Sequence, residues 1–417
     1  MDKILVRGGK PLKGSVQVRG AKNAALPLMA ATILAEETCV LHNIPCLHDI
    51  FSMDKLLADM GMTIDFTGRS MTMEPQNLTK AEAHYELVRK MRASFFVLGP
   101  LLARFGKCRV SLPGGCAIGT RPVDIHLKGL EALGATIAIE DGYVVAEGKL
   151  KGVNYALDFP SVGATENLMM AATRADGVTR LTNVAREPEI EDLAHFLNAM
   201  GARISGAGTD LITIVGVDAL GGAEHIVMSD RIEAGTFLTA GVATGGDVTV
   251  LNAKAEHFPN FLKKLRATGA EVEIMGNKIR ASAPNGIKSV DITTQPFPGF
   301  ATDLQAQMMV LMTRADGVSR IKETVFENRF MQVPELVRMG ADINVDGNTA
   351  IVRGVKSLSG APVMASDLRA SAALVIAGLM AQQGETAISR VYHIDRGYER
   401  IEERLVGLGA DIERVRE

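Results

Sequence analysis

Six copies of one α/β unit, gathered three by three into two similar domains, are the architecture that this sequence predicts. Three observations predict it. A helix–glycine–strand phrase returns at near-constant intervals along the 417 residues. Each interval also holds a second helical stretch that is apolar nearly all round. The chain is, finally, too long for one ordinary core, which makes two domains the natural division.

The phrase reads LLADMGMTIDF around Gly61, LEALGATIAI around Gly134 and LNAMGARIS around Gly201. It returns as LRATGAEVEI around Gly269, VRMGADINV around Gly340 and LVGLGADIERV around Gly409. Successive glycines stand 73, 67, 68, 71 and 69 residues apart. Each copy predicts a helix stopped by Gly at its C′ position and followed by a strand. Only Gly takes the left-handed backbone there without steric cost. The second helices begin near Lys22, Arg92, Gly163, Arg231, Asp303 and Arg369, in stretches such as SVGATENLMMAATRADG, ATDLQAQMMVLMTRADG and SDLRASAALVIAGLMAQQG. Apolar on every side, they are buried helices. Three units then bury these helices together at the centre of a domain, with sheets outside. The repeat is too long for a solenoid of the usual period.

Composition removes several function classes. The net charge is −3, and the aromatics are 5 Tyr, 14 Phe and no Trp. Nucleic-acid binding calls for a basic surface and stacking rings, so none is expected. The longest nearly apolar runs, Ala24 to Ala35 and Ala370 to Ala381, have 12 residues each, short of the ~20 of a membrane span. The first residues lack the apolar core of a secretory signal. Cys39, Cys46, Cys108 and Cys116 form no Cys-x-x-Cys pair. A cytoplasmic protein with reduced thiols and no membrane contact is the expectation.

Generic motifs are missing as well. There is no P-loop, no His-Glu-x-x-His, no paired Cys/His spacing and no nucleotide-binding Gly-x-Gly-x-x-Gly after a strand. What remains is a set of charged residues at the starts of apolar helices: Lys22-Asn23, Arg92, Asp303 and Asp367 with Arg369. Free backbone N–H groups at such a start, joined by Lys or Arg, suit phosphate or carboxylate. Taken singly, each residue is equally a cap or half of a surface ion pair. As a set in equivalent repeat positions, they favour the anion site.

The segment from Ser111 to Pro122 is a loop, set by Pro113, Gly114, Gly115 and Gly119. It carries Cys116 five residues before Arg121. A free Cys is usually buried and inert; one in such a loop is placed to react. Nearby positive charge favours thiolate, and a bound anionic substrate favours thiol. Cys39, Cys46 and Cys108 sit in apolar or strand-like contexts and read as structural.

Several stretches together are highly specific: Arg19 to Ala24, the Cys116 loop with Arg121-Pro122-Val123-Asp124, Ser161 to Thr165, and Pro298 to Asp303. Thr324 to Phe330, Asp367 to Ser371 and His393 to Arg400 complete the set. On these, the sequence resembles the UDP-N-acetylglucosamine 1-carboxyvinyltransferases, of the enolpyruvyl transferase superfamily, over essentially its whole length. The resemblance implies the two-domain inside-out α/β barrel of EPSP synthase-like proteins, with three βαβαββ units in each domain. It implies an N-terminal enolpyruvyl transferase domain, 21–228, carrying the Cys116 lid loop. Residues 1–20 then join 229–417 in the C-terminal domain, with the substrate cleft between the two.

The resemblance also implies roles. Cys116 donates the proton, and Lys22, Arg121 and Arg396 bind phosphoenolpyruvate, with Asn23 beside the reacting centre. Arg92, the Arg121–Pro122–Val123–Asp124–Ile125 stretch, Phe159, Pro160, Ser161, Val162 and Val325 belong to the sugar-nucleotide site. Asp303 faces the sugar 3′-hydroxyl, and Arg369 and Glu187 are further polar residues of the cleft. No metal or cofactor is implied, and the protein is a monomer or weak homo-oligomer. Two departures stand out. Phe159-Pro160 is more apolar than the family's usual residues there, and His48 occupies a loop position where Lys is common. Two rival readings share parts of the pattern. Transfer to shikimate 3-phosphate fits the fold but not the Cys116 loop or Arg121 to Asp124. A non-catalytic ligand- or RNA-binding protein on the same repeat would need a basic face and no Cys116.

Overall fold

The computed structural model describes residues 2–89, 91–113 and 123–416. Cys116, Arg121 and Pro122 lie outside the described residues. The chain divides into two compact units. One spans Gly20 to Met228; the other joins the chain up to Arg19 with Ser229 onward.

A single repeat shows how the sequence builds both. Strand Asn154–Ala156, helix Val162–Ala172, strand Val178–Thr182, helix Pro188–Ala199 and strands Arg203–Ser205 and Leu211–Val215 follow in order. The first two strands pair in parallel, because a helix carries the chain back across. The last two form an antiparallel hairpin, with Ile204 opposite Ile214. Leu181 opposite Ile212 joins that hairpin to the parallel pair. Ile212 and Ile214 are fully buried while Leu211 is exposed, the alternation of a sheet wet on one face. Six such four-stranded sheets occur among the described residues.

Three sheets draw a strand from far along the chain. Lys13–Gln17 pairs in parallel with Asp247–Leu251. Lys3–Arg7 lies antiparallel between Thr386–Ser389 and Asp411–Val415. Glu224–Ile226 pairs in parallel with Cys39–His42.

The repeat glycines behave as the sequence predicts. Gly61, Gly134, Gly201, Gly269, Gly340 and Gly409 have φ of 105°, 99°, 107°, 92°, 94° and 93°. At Gly134, its N–H donates to Glu131 O at 2.9 Å and the Ala135 N–H to Leu130 O at 3.0 Å, the double closure that ends a helix.

The apolar helices are the cores. Leu368–Met380 is buried from Arg369 to its end, and Gln305–Met312 throughout. Small residues allow the helices to approach closely. A Cβ at Gly99 would collide with Asn167, and the Gly99 N–H instead donates to Asn167 Oδ1 at 2.6 Å. Helix starts are capped: Asp367 Oδ1 accepts from the N–H groups of Arg369 and Ala370 at 2.9 and 3.0 Å. Asp230 Oδ1 does the same for Ile232 and Glu233 at 2.8 and 3.0 Å. Each such cap contributes about 1 kcal/mol.

Local differences from expectation are few. Arg92 and Asp303 sit in 3-10 turns, Arg92–Val97 and Thr302–Leu304, which lead into helices Leu98–Phe105 and Gln305–Met312. Such turns are common at helix starts. His48, expected in a loop, is the exposed first residue of helix His48–Asp59. Cys46 lies half-buried in the connection before that helix, outside any strand.

Candidate active site

In the unit Gly20–Met228, the start of helix Lys22–Ala31 places Lys22 with its side chain 12% exposed. Its Nζ is 3.2 Å from Asp49 Oδ2. Asp49 belongs to helix His48–Asp59 and played no part in the sequence reading. Asn23 follows, half-buried.

A second group forms around His126, which the sequence reading also passed over. Helix Asp124–Ala132 packs on helix Val162–Ala172, so the His126 ring lies against Gly163. That contact sets the start of helix Asp124–Ala132 against the start of helix Val162–Ala172. Ser161 caps the second helix, its Oγ accepting from the Ala164 N–H at 3.4 Å. Asn167 Nδ2 donates to His126 Nδ1 at 3.1 Å and to Phe95 O at 3.0 Å. Phe95 meets the imidazole edge-on at 5.3 Å. Burial and then the charge of Arg92 hold the His126 pKa down to about 3. The ring is therefore neutral, and with Nδ1 accepting, its Nε2 carries the proton. Phe159 is 40% exposed and Pro160 half-buried beside this group.

Glu187 stands at the start of helix Pro188–Ala199 and is nearly buried, close to Glu166 and Glu189. Burial, reinforced by the charges of Glu189 and Glu187, raises the Glu166 carboxyl well above its usual range. Neither Glu166 oxygen has a hydrogen-bond partner.

In the other unit the centre is Asp303. Arg329 Nη2 donates to its Oδ1 and Arg369 Nη2 to its Oδ2, both at 2.8 Å. The two guanidinium side chains are 6% and 4% exposed. Burial alone would raise this carboxyl, but the charges of Arg369 and Arg329 outweigh it and hold it well below the carboxylate range. Arg369 continues into a buried polar group: its Nη1 donates to the Tyr398 hydroxyl at 3.2 Å.

Glu323 organises the neighbouring stretch. Its Oε1 accepts from Thr294 Oγ1 at 2.6 Å and from the N–H groups of Val325 and Phe326 at 2.8 and 3.2 Å. Its Oε2 accepts from Thr302 Oγ1 at 2.8 Å. One buried carboxylate thus pins the Val325 segment and the turn carrying Asp303. Arg396 closes the 3-10 turn Val391–Arg396, which packs on helix Leu368–Met380. Charge from Arg396, after burial, lowers the His393 pKa.

Of the sequence-selected residues, Asp303 and Arg369 meet directly, with Val325 tied to the same turn through Glu323; Arg92 acts on His126, Lys22 pairs with Asp49, and Glu187 and Arg396 stand at their own helix ends. Arg329 and Tyr398 lie within the stretches Thr324 to Phe330 and His393 to Arg400, where residue type alone gives them no role. Glu323, Asp49 and His126 carried no signal beyond their neighbours. Among the described residues, no group of His, Cys, Asp and Glu is arranged to hold a metal ion, and no helix is long and apolar enough to cross a membrane.

A family model described as EPSP synthase (3-phosphoshikimate 1-carboxyvinyltransferase) matches residues 6–405. The chain is 56% identical over 420 residues to a UDP-N-acetylglucosamine 1-carboxyvinyltransferase from Granulibacter bethesdensis, covering all of both chains. It is 59% identical over 418 residues to one of the same name from Desulforapulum autotrophicum, again covering all of both. The chain belongs to the UDP-N-acetylglucosamine 1-carboxyvinyltransferase family.

Solved structures agree on the carboxyvinyltransferase fold. The enolpyruvyl transferase NikO from Streptomyces tendae superposes with a TM-score of 0.90 at 24% identity, over 99% of each chain. EPSP synthase from Acinetobacter baumannii gives 0.75 at 20% identity over the whole of both. At those identities the likeness concerns the inside-out α/β architecture alone. The carboxyvinyltransferase relatives span the chain end to end, so every candidate residue from Lys22 to Arg396 lies inside the matched region.

Proposed function

We propose that this chain transfers the enolpyruvyl group of phosphoenolpyruvate to the 3′-hydroxyl of UDP-N-acetylglucosamine and releases phosphate, the first committed step of peptidoglycan precursor synthesis. End-to-end identity with carboxyvinyltransferases of that name carries the reading. The geometry of Asp303 supports it. A carboxylate held charged by two buried arginines is a fixed acceptor for one hydroxyl.

The chemistry is addition followed by elimination. The Cys116 thiol gives its proton to C3 of phosphoenolpyruvate, which makes C2 electrophilic. The sugar hydroxyl, oriented by Asp303, attacks C2 and forms a tetrahedral ketal. The C2–O bond to phosphate then breaks, a C3 proton returns to the thiolate, and the hydroxyl proton leaves with phosphate. Asp303, held charged by two guanidiniums, orients the hydroxyl and can take its proton before phosphate carries it away. Lys22, Arg121 and Arg396 hold the donor's phosphate and carboxylate, and the two arginines present planar forks to them. These cations neutralise the donor's charge, so the reading calls for no metal or cofactor.

Arg92, the neutral His126 group, Arg121 to Ile125, Phe159 to Val162 and Val325 bind the nucleotide sugar. The domains are 21–228, with the Cys116 lid, and 1–20 plus 229–417. On this reading the enzyme acts in the cytoplasm, as a monomer or weak homo-oligomer.

Phosphate release from phosphoenolpyruvate, with and without UDP-N-acetylglucosamine, tests the function. Release that depends on the sugar nucleotide is expected; release with shikimate 3-phosphate instead would overturn it. Intact-mass measurement tests the thiol. Cys116→Ala should abolish any covalent donor adduct, and a persisting adduct would move the role to another Cys. Cys116→Asp should stay active yet resist alkylation by an epoxide such as fosfomycin.

A further inference from the structure

We propose that Tyr398 is a positioning residue for the acceptor hydroxyl: by holding Arg369, its phenol fixes the direction in which the Asp303 carboxylate faces. The inference rests on the role given above to Asp303.

Proton accounting gives the network one direction. Thr236 has a single O–H, and its oxygen lies 2.8 Å from Ile232 O, a carbonyl that only accepts. The threonine proton therefore goes to that helix carbonyl. The Tyr398 oxygen lies 2.9 Å from Thr236 Oγ1, so the phenol donates there. Its lone pairs are left to accept, and Arg369 Nη1 at 3.2 Å donates to them; the two Gln307 Nε2 protons have nearer acceptors in Thr236 Oγ1 at 3.0 Å and Asp303 O at 3.1 Å. Hydrogen bonds thus run from Asp303-bound Arg369 through Tyr398 and Thr236 to the backbone of helix Arg231–Ala243. Tyr398 is 1% exposed, so solvent does not compete. Burial, the largest influence, also raises the phenol pKa and keeps its proton in place.

Removing only the hydroxyl leaves the Arg369 fork one acceptor short in a buried site. The ring under the guanidinium, 5.6 Å away, would remain. Arg329 would still hold Asp303 Oδ1. The carboxylate would stay charged and near its place but would pivot with Arg369, which holds Oδ2. Misdirection of this kind lowers turnover and leaves donor binding nearly alone.

The experiment compares Tyr398→Phe with wild type in phosphate-release kinetics, in two backgrounds. In the natural background, kcat should fall roughly 10- to 100-fold, with KM for phosphoenolpyruvate within about twofold of wild type. In an Arg369→Lys background, where the planar fork is gone, the same change should cost little further. An active wild type beside a Phe variant of unchanged kcat overturns the inference alone, as does an equal loss in both backgrounds. Should Tyr398→Phe lose its fold by circular dichroism, Thr236→Val removes the phenol's acceptor instead. A loss of kcat there supports the inference, and an unchanged kcat overturns it. A wild-type protein that releases no phosphate overturns the functional reading, and this inference with it.

Discussion

Asp303 has both oxygens committed to buried guanidiniums, and that arrangement sets what its removal should do. Asp303→Asn would leave Arg329 and Arg369 facing a neutral amide. Stability should fall by about 3–5 kcal/mol, the usual cost of unpairing a buried charge. Turnover should fall at least about 100-fold through loss of the oriented acceptor. Denaturant titration and phosphate-release kinetics check the two halves; a variant with wild-type midpoint and rate would remove Asp303 from the site. The other thiols make a contrast with Cys116. Burial pushes Cys39 up to about 11 and Cys108 up to about 12, so both stay protonated near neutrality. Iodoacetamide at pH 8, read by peptide mass mapping of the folded protein, should leave both unlabelled. At this scale the sequence was partly legible. Asp303 and Arg369 were visible as charges at helix starts. Their pairing was not, because the partners lie 66 residues apart and residue type does not name a distant neighbour. Tyr398 and Glu323 were invisible for the same reason: their chemistry consists entirely of what folding brings to them.

The central helices were legible because small and apolar residues on every side leave a helix nowhere to lie but inside. What that pattern hides is the polar minority: Glu166, Asn167, Gln305 and Gln307 are all fully buried. Asn167 ties two helices together through Gly99 and Phe95. Glu166 finds no such partner and is kept neutral by burial beside Glu187 and Glu189. The sign of the linkage follows. A carboxyl whose folded pKa lies above its unfolded value binds its proton more tightly in the folded state. Its contribution is fully present below the ordinary carboxylate pKa and is lost as pH rises toward the folded one. Glu166→Gln removes that dependence. The variant should gain melting temperature over wild type at pH 8 and gain much less at pH 5. Equal shifts at the two pH values would mean that Glu166 does not hold a proton. The 3-10 turns at Arg92 and Asp303 were not legible, since the same residues suit either kind of first turn.

Glycine spacing disclosed the six units of the whole molecule, because a backbone that must turn left-handed at each helix end marks itself in sequence. Spacing says nothing about which strand completes which sheet. Strand Lys3–Arg7 fills the position between Thr386–Ser389 and Asp411–Val415, and Lys13–Gln17 edges the sheet of Asp247–Leu251. Only the family resemblance pointed to such an exchange; neither strand carries a mark of its partner. Deleting residues 2–19 would open two sheets of one unit and expose apolar faces around Ile388 and Val250. That unit should fail to fold, while Gly20–Met228 keeps its own structure. Hydrogen exchange should then protect amides of Val162–Ala172 and none of Leu368–Met380. Protection of both helices would show the two strands to be dispensable.

Lys3 sits opposite Val415, and that pairing imposes an order on synthesis. Once made, strand Lys3–Arg7 must wait for its two partners, Thr386–Ser389 and Asp411–Val415. At about 5–20 residues per second, the delay is roughly 20–80 s. For nearly all of it Lys3–Arg7 has neither partner, although Lys13–Gln17 gains Asp247–Leu251 part-way, and Gly20–Met228 behind them is already made.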